Sequence, residues 1–214
     1  MSMLRRTCVL FVCCFQPYAA AEIIGVAGGL GPPPPTLGPY EMTPFAPDDR
    51  PLWEWVTDVP SPLGGAIEFS LPLQHLLDGT GWAYWGHGYG GDIYTTWGTA
   101  DTVTMDLPEE TRAIYFYASQ YTTTYRLIVA MADDGTTIEQ TVHPTQGAKY
   151  FGFYQDDPAG APIQWIEVYS PTTGLVAIGE FGIAIPAPGT LALLGVSVIG
   201  AISRRRRHAP PRHG

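Results

Sequence analysis

Cysteine is confined to one end of the sequence. All three cysteines, Cys8, Cys13 and Cys14, fall within the first fifteen residues. A chain that lost this segment would have neither a free thiol nor a disulfide. That composition suits an oxidising compartment and excludes a cysteine nucleophile.

Charged residues are also scarce, at 14% of 214 residues, and they are unevenly distributed. Residues 22–185 contain all 20 acidic residues but only four basic ones, Arg50, Arg112, Arg126 and Lys149, which gives this part a net charge of −16. So acidic a body repels phosphate backbones, and we expect no nucleic-acid partner. The remaining basic residues lie at the two ends of the chain.

Signatures of catalysis and metal binding are missing from the sequence. It contains no G-x-S-x-G elbow, no EF-hand loop and no internal repeat of 20–50 residues. His75, His87 and His143 do not form a pair at metal-ligand spacing. We therefore expect no catalytic residue, no cofactor and no metal site, and a protein that is not an enzyme.

Several aspartates leave one metal alternative open. Asp133 with Asp134, Asp156 with Asp157, and the separate Asp101 and Asp106 could supply oxygen ligands to calcium. The same Asp-Asp-Gly and Asp-Asp-Pro sequences are typical of turns, in which the carboxylates bind nearby backbone N–H groups.

The N-terminus has the pattern of a secretory signal. Arg5 and Arg6 precede a short apolar stretch that ends at Phe15, and Ala19 to Ala21 offer small residues to signal peptidase. An uncleaved anchor or a buried helix is the alternative, but the apolar stretch is shorter than the roughly 20 residues that span a bilayer. We predict a signal peptide over residues 1–21.

The C-terminus combines three features in a fixed order. Pro186, Ala187 and Pro188 form an extended stretch, because proline is excluded from helix interiors. An apolar segment at 190–203 is predicted to be a short transmembrane helix, although it is shorter than a bilayer requires. A block of four arginines, Arg204, Arg205, Arg206 and Arg207, would then stop translocation and keep the tail at 208–214 in the cytoplasm.

This tripartite end, over residues 186–207, resembles the bacterial PEP-CTERM sorting signal, the substrate of membrane proteases called exosortases. The resemblance implies that Pro186, Ala187 and Pro188 are the recognition tripeptide, with Ala187 where the family usually has glutamate. It also implies an exosortase-like protease as a partner, besides signal peptidase and the lipid bilayer. A plain membrane anchor is the alternative, and no LPxTG motif precedes the helix.

The body of the chain is predicted to be all-β. The stretch 22–60 is rich in glycine and proline, and Pro32 to Pro35 favour an extended spacer. Residues 61–185 then alternate between short β-rich runs and turn signals, as in an antiparallel, jelly-roll-like β-sandwich. The predicted strands are Ile67–Leu73, Asp92–Thr96, Thr102–Leu107, Ala113–Ser119, Tyr125–Ala132, Thr136–His143, Tyr150–Tyr154, Ile163–Ser170 and Leu175–Ala184.

Side chains in these strands alternate with a period of two residues. Ile114 and Phe116 alternate with Tyr115 and Tyr117, and the strands around residues 151 and 166 behave in the same way. We expect the aliphatic and phenylalanine residues to form the core between two sheets. The tyrosines and tryptophans would lie outside, or under the N-terminal segment.

Aromatic and acidic residues suggest where a sugar could bind. Trp165, Glu167 and Tyr169 share one predicted strand face, on which rings could stack against a carbohydrate. Glu68, Glu139 and Glu167 are candidate carboxylates for glycoside hydrolysis, a third and weaker hypothesis. The segment Gly81–Gly91, with four aromatics among its glycines, is predicted to be either a ligand-binding loop or a packed aromatic turn.

The sequence thus favours an exported surface or matrix protein without catalytic activity. It would be anchored in the inner membrane through its C-terminal helix, with the body outside the cytoplasm, and could be released into an exopolysaccharide layer. A carbohydrate-binding module is the first alternative, and a secreted glycoside hydrolase is the second.

Overall fold

The computed structural model describes residues 22–98, 100–121, 124–143, 145–172 and 175–186. They form the strands β1 Ile23–Ala27, β2 Thr36–Leu37, β3 Tyr40–Glu41, β4 Thr43–Pro44, β5 Trp55–Pro60, β6 Ala66–Asp78, β7 Gly81–Trp82, β8 Asp92–Thr95, β9 Thr102–Asp106, β10 Ala113–Gln120, β11 Arg126–Ala132, β12 Thr137–Val142, β13 Lys149–Gln155, β14 Trp165–Tyr169 and β15 Val176–Ala184. None of these residues belongs to a helix that is long and apolar enough to cross a membrane. The predicted signal peptide, transmembrane helix and arginine block lie outside the described residues.

In the described part of the chain, thirteen strands form one continuous, largely antiparallel sheet, whose main path runs in the order β1-β13-β10-β15-β8-β6-β9-β14-β11-β12. Strand β4 pairs with β15, β5 and β7 pair with β6, and β2 and β3 form a separate two-stranded sheet. The long strand β6 joins its two halves, because its C-terminal part pairs with β8 and its N-terminal part with β9. The two ends of the sheet approach each other: Ile23 N donates to Asp134 Oδ2 over 3.0 Å, and Thr136 Oγ1 donates to Ile23 O over 2.9 Å. The prediction of an all-β sandwich is confirmed, and the sandwich is nearly closed into a barrel. Its jelly-roll-like type stays a prediction.

The core between the halves contains the side chains that period-two alternation predicted. Ile114 and Phe116 of β10, Phe151 and Phe153 of β13, and Ile166 of β14 are all 0% exposed and belong to one hydrophobic cluster. The rings of Phe116 and Phe151 stack with centroids 5.5 Å apart and an interplanar angle of 6°. Burial of these rings is a main source of the stability of the fold.

A second apolar cluster lies on the opposite face of β10 and β13. Tyr115, Tyr117 and Tyr150 pack there with Trp82 of β7 and with Trp85 of the turn that follows it, and all five are at most 3% exposed. The predicted packed aromatic turn in Gly81–Gly91 is therefore confirmed over the alternative of an open ligand loop. The tyrosines lie under the N-terminal segment, which was one of the two predicted positions.

The extended spacer predicted at Pro32 to Pro35 is wrong. Met42 N donates to Pro35 O over 2.9 Å, so the last proline begins a hairpin of β2 and β3. Tyr117 OH donates to Gly31 O over 2.5 Å and ties the segment to the sheet. Proline lacks a donor but keeps its carbonyl acceptor, so a proline run can still pair by accepting hydrogen bonds.

The strand predictions after residue 61 are confirmed, with small shifts at the ends. The largest shift is in β6, which continues from the predicted end at Leu73 to Asp78. The predicted hairpin loop between β11 and β12 is present at residues 133–136, with Gly135 at a φ of +90°. Strands β1 to β5 and β7 were not predicted, since most are two residues long and show no periodicity.

Candidate functional site

The chain leaves the sandwich at the end of β15. This strand lies between β10 and β8, and its last residue, Ala184, pairs with Ala113 and accepts a 2.8 Å hydrogen bond from Arg112 N. The strand predicted at Leu175–Ala184 is therefore present as an internal strand that ends just before the sorting tripeptide. Pro186 is the last described residue, and Ala187 and Pro188 lie beyond it.

The predicted sugar-binding residues share a face as expected. Trp165, Glu167 and Tyr169 alternate along β14 with the buried Ile166 and Val168, and each is half-buried on the outer surface. Their cross-strand neighbours on β9 are Asp106, Thr104 and Thr102, respectively. This arrangement provides a mixed aromatic and polar strip, whose sugar-binding role stays a prediction.

The carboxylates considered for hydrolysis do not meet in one cleft. Glu68, Glu139 and Glu167 lie on three different strands, β6, β12 and β14, and the first two are exposed. Glu68 lies directly opposite Asp106 of β9 and Asp58 of β5. Glu68 and Asp106 line an open groove of about 650 Å³ together with Glu109 and Glu110, but neither Glu139 nor Glu167 lines it.

Four of the six aspartates considered for calcium, the two adjacent pairs, bind backbone N–H groups. Asp134 accepts from Ile23 N at 3.0 Å and from Thr136 N at 2.8 Å, and Asp133 accepts from Gln164 N at 2.9 Å. Asp156 and Asp157 accept from Glu22 N and Ala159 N, respectively. In the described part of the chain, no three His, Cys, Asp or Glu side chains are grouped so that they could hold a metal ion.

Sequence reasoning missed a buried pair, His87 and Glu180. Glu180 accepts from Trp85 Nε1 at 3.2 Å and from His87 Nε2 at 2.9 Å, and His87 Nδ1 faces Leu30 O at 3.1 Å. Both ring nitrogens of His87 face oxygen acceptors, so both can donate when the ring is doubly protonated. The two side chains join three segments: the N-terminal segment, the aromatic turn and β15.

Burial raises the pKa of Glu180, and the hydrogen bonds from His87 and Trp85 offset only part of this effect. The backbone at Glu180 is left-handed, with a φ of +51°, where the β10–β15 register shifts. No motif indicates this cluster, because its members come together only in the folded sheet.

A second buried network surrounds His75 and Asp92. His75 Nε2 lies 2.8 Å from Asp92 Oδ1, and Asp92 Oδ2 accepts from Asp48 N at 2.8 Å. Tyr94 OH donates to Asp48 Oδ2 at 2.9 Å, while Arg50 binds both oxygens of Asp48. These bonds attach the segment that precedes β5 to two strands of the sheet, β6 and β8.

A cavity of about 190 Å³ separates the two networks. Both Asp92 and Glu180 line it, together with three tyrosines and a mainly apolar wall that includes Phe45 and Phe181. Each carboxylate is already bound to a histidine. The arrangement supports the attachment of the N-terminal segment, and we assign it no reaction.

The Asp48 network should make stability depend on acid pH. Burial alone would raise the pKa of Asp48, but hydrogen bonds from Arg50 and Tyr94 outweigh it and lower the pKa to about 2. Because the pKa of Asp48 in the folded state lies below its ordinary value of 3.8, the carboxylate stabilises the fold above that pH. This contribution, about 2 kcal/mol, disappears as the pH falls toward 2.

We expect Asp48→Asn to lower the free energy of unfolding by about 2 kcal/mol at pH 7 and to differ little from the wild type near pH 2. Urea unfolding at both pH values measures this difference. Asp49→Asn, a change at the exposed neighbour, is the matched control and should have a small effect at either pH. An Asp48→Asn deficit that persists unchanged at the lower pH would contradict the assignment.

The segment where the chain leaves the sandwich is similar to a known protein family. The family model of the PEP-CTERM protein-sorting motif matches residues 184–207. The sequence has no significant match among curated proteins. Proteins that carry this motif are exported, sorted at a membrane and processed by an exosortase. The chain therefore carries a PEP-CTERM sorting motif, which begins at the last residue of β15.

Proposed function

We propose that this protein is a non-catalytic surface or matrix component, exported by a signal peptide at residues 1–21 and held by a transmembrane helix at 190–203. The β-sandwich lies outside the cytoplasm, and an exosortase-like protease reads Pro186, Ala187 and Pro188. Cleavage would then transfer or release the sandwich toward an exopolysaccharide layer.

The observation that carries this proposal is the junction at Ala184. The sorting motif starts where the last described strand ends. Among the described residues, which end at Pro186, both hydrophobic clusters draw all their members from residues before 185. A cut beyond Pro186 therefore removes none of the cluster members that lie in the described part of the chain. The acidic body and the basic tail also favour opposite sides of a membrane, because cationic loops resist translocation.

Cleavage is tested by mass spectrometry of the native protein. We expect a C-terminus between residues 186 and 190 in a strain that contains an exosortase, and an intact Gly214 in a strain from which the exosortase gene is deleted. Replacing Pro186 and Pro188 together by leucine should also leave the chain intact. Deletion of residues 208–214, outside the matched motif, is the control and should leave cleavage unchanged.

An intact Gly214 in every strain would refute processing and indicate a permanent anchor. Cleavage of the double-leucine variant at the same bond would show that the proline tripeptide is not what the protease recognises.

A further inference from the structure

Three exposed aromatic side chains meet on the surface outside the second apolar cluster. Trp53 precedes β5, Trp97 follows β8 and Tyr121 follows β10, and they are 49%, 42% and 58% exposed. The centroids of Trp97 and Tyr121 are 6.0 Å apart with their planes at 39°, and those of Trp53 and Trp97 are 6.4 Å apart at 85°. We call these three residues the aromatic platform.

Two rings of the aromatic platform form a shallow surface, called the floor here, and the third ring stands at its edge. Trp97 and Tyr121 are inclined only moderately to each other and form the floor, while Trp53 stands nearly perpendicular to Trp97 at one end. The buried Trp82 supports the floor from below, with its ring centroid 5.8 Å from that of Tyr121. The rings are therefore fixed in place, which lowers the entropy lost on binding.

Backbone strain sets the two tryptophans apart from ordinary surface residues. Trp53 has a φ of +70° and Trp97 a φ of +46°. Large side chains rarely adopt this left-handed region, and glycine would occupy it at no steric cost. Such strain persists where the surrounding structure enforces it, and it concentrates at functional sites.

Hydrogen bonds hold both strained residues in position. Trp53 N donates to His75 O over 2.8 Å, and Gln74 Nε2 donates to Trp53 O over 3.3 Å. Trp97 N donates to Thr95 Oγ1 over 3.2 Å. The tryptophan side chains themselves project to the surface and are not needed for these backbone bonds.

The net negative charge of the body limits which chemical classes of ligand can bind to the aromatic platform. Residues 22–185 carry four basic and 20 acidic residues, so the surface repels nucleic acids, anionic lipids and polyuronates. A neutral pyranose has apolar C–H faces that suit aromatic rings and a rim of hydroxyls that suits polar neighbours such as Glu54 and Gln74. We infer that the aromatic platform of Trp53, Trp97 and Tyr121 binds a neutral oligosaccharide.

This site differs from the strip predicted on β14. Trp165, Glu167 and Tyr169 lie on a strand paired with β9 and β11, whereas the aromatic platform lies at the ends of β5, β8 and β10. The inference does not rest on the proposed export and processing, because binding can be measured on the purified full-length chain.

The experiment titrates the full-length chain, in a zwitterionic detergent without a sugar headgroup, with cellohexaose and dextran as neutral probes and alginate as an anionic probe. Tryptophan fluorescence and calorimetry report binding. We expect one or both neutral probes to bind and alginate not to bind. Trp97→Gly and Trp53→Gly should each weaken binding about tenfold or more, while the melting temperature stays equal or rises because glycine relieves the strain.

Two exposed or half-exposed tryptophans serve as controls. Trp55→Ala changes a residue that is 46% exposed on β5, and Trp165→Ala tests the β14 strip; both should leave Kd unchanged. Loss of binding in Trp165→Ala but not in Trp97→Gly would overturn the inference in favour of β14. Binding of alginate as tight as that of the neutral sugars, or no binding of any probe, would also overturn it. So would a melting temperature that falls sharply in both glycine variants, because the tryptophans would then serve the fold.

Discussion

Replacing Phe116 by alanine will lower the free energy of unfolding by about 3–5 kcal/mol, the usual result of emptying a buried aromatic site. The Phe116 ring is 0% exposed and stacks on Phe151 across the β10–β13 pair. The loss combines the transfer free energy of the ring with the cost of the cavity that it leaves. Since domains of this size are stable by about 5–15 kcal/mol, much of the stability would be lost.

Urea unfolding of the processed chain measures this effect, with Tyr125→Ala as the control. Tyr125 is 60% exposed, so its removal should change the free energy of unfolding by about 0.5 kcal/mol or less. If Phe116→Ala cost no more than Tyr125→Ala, Phe116 could not lie in the core between the two halves of the sheet.

Period-two alternation predicted much of the fold because opposite faces of the strands meet different environments. In β14, Ile166 and Val168 face the core, while Trp165 and Tyr169 lie half-buried outside. In β10 both faces are buried, yet the two faces still differ in residue type, since Ile114 faces one cluster and the tyrosines face the other. The sequence could not show that both clusters are covered.

The N-terminal segment could not be predicted, because its structure depends on distant partners. Strand β1 pairs with β13, and Pro35 contributes a carbonyl acceptor whose donor is Met42 N. A proline run shows no local sign of such pairing, and polyproline spacers have the same composition. The expectation of a linker was therefore reasonable locally and wrong in the folded chain.

The two candidate sugar-binding sites also differ in how far the sequence could predict them. The face shared by Trp165, Glu167 and Tyr169 follows from alternation within one strand. The aromatic platform joins Trp53 and Trp97 from separate turns, and their left-handed backbone has no sequence signature, since glycine rather than tryptophan usually marks such positions. Contacts between turns follow from strand order, which the sequence does not specify.

Replacing Arg204–Arg207 by four glutamines will move the C-terminus from the cytoplasm to the opposite side of the membrane in most molecules. Each arginine costs about 2.5–3.5 kcal/mol at the centre of a membrane helix, so passing all four through the bilayer would cost about 10–14 kcal/mol. Glutamine removes the charge and keeps a polar side chain of similar length. Replacement by four lysines keeps the charge and is the matched control.

The position of the tail can be read from a single cysteine added after Gly214, in a host that lacks an exosortase. The native cysteines lie within the first fifteen residues, so replacing them by serine leaves the added thiol as the sole target for a membrane-impermeant maleimide. We expect the wild type and the lysine variant to be labelled only after detergent is added. The glutamine variant should be labelled in intact cells whose outer membrane is permeable.

Labelling of the wild type in such intact cells would place the arginines outside the cytoplasm, and the charge asymmetry could not then orient the chain. Equal protection of the glutamine variant would show instead that the apolar segment alone retains the tail.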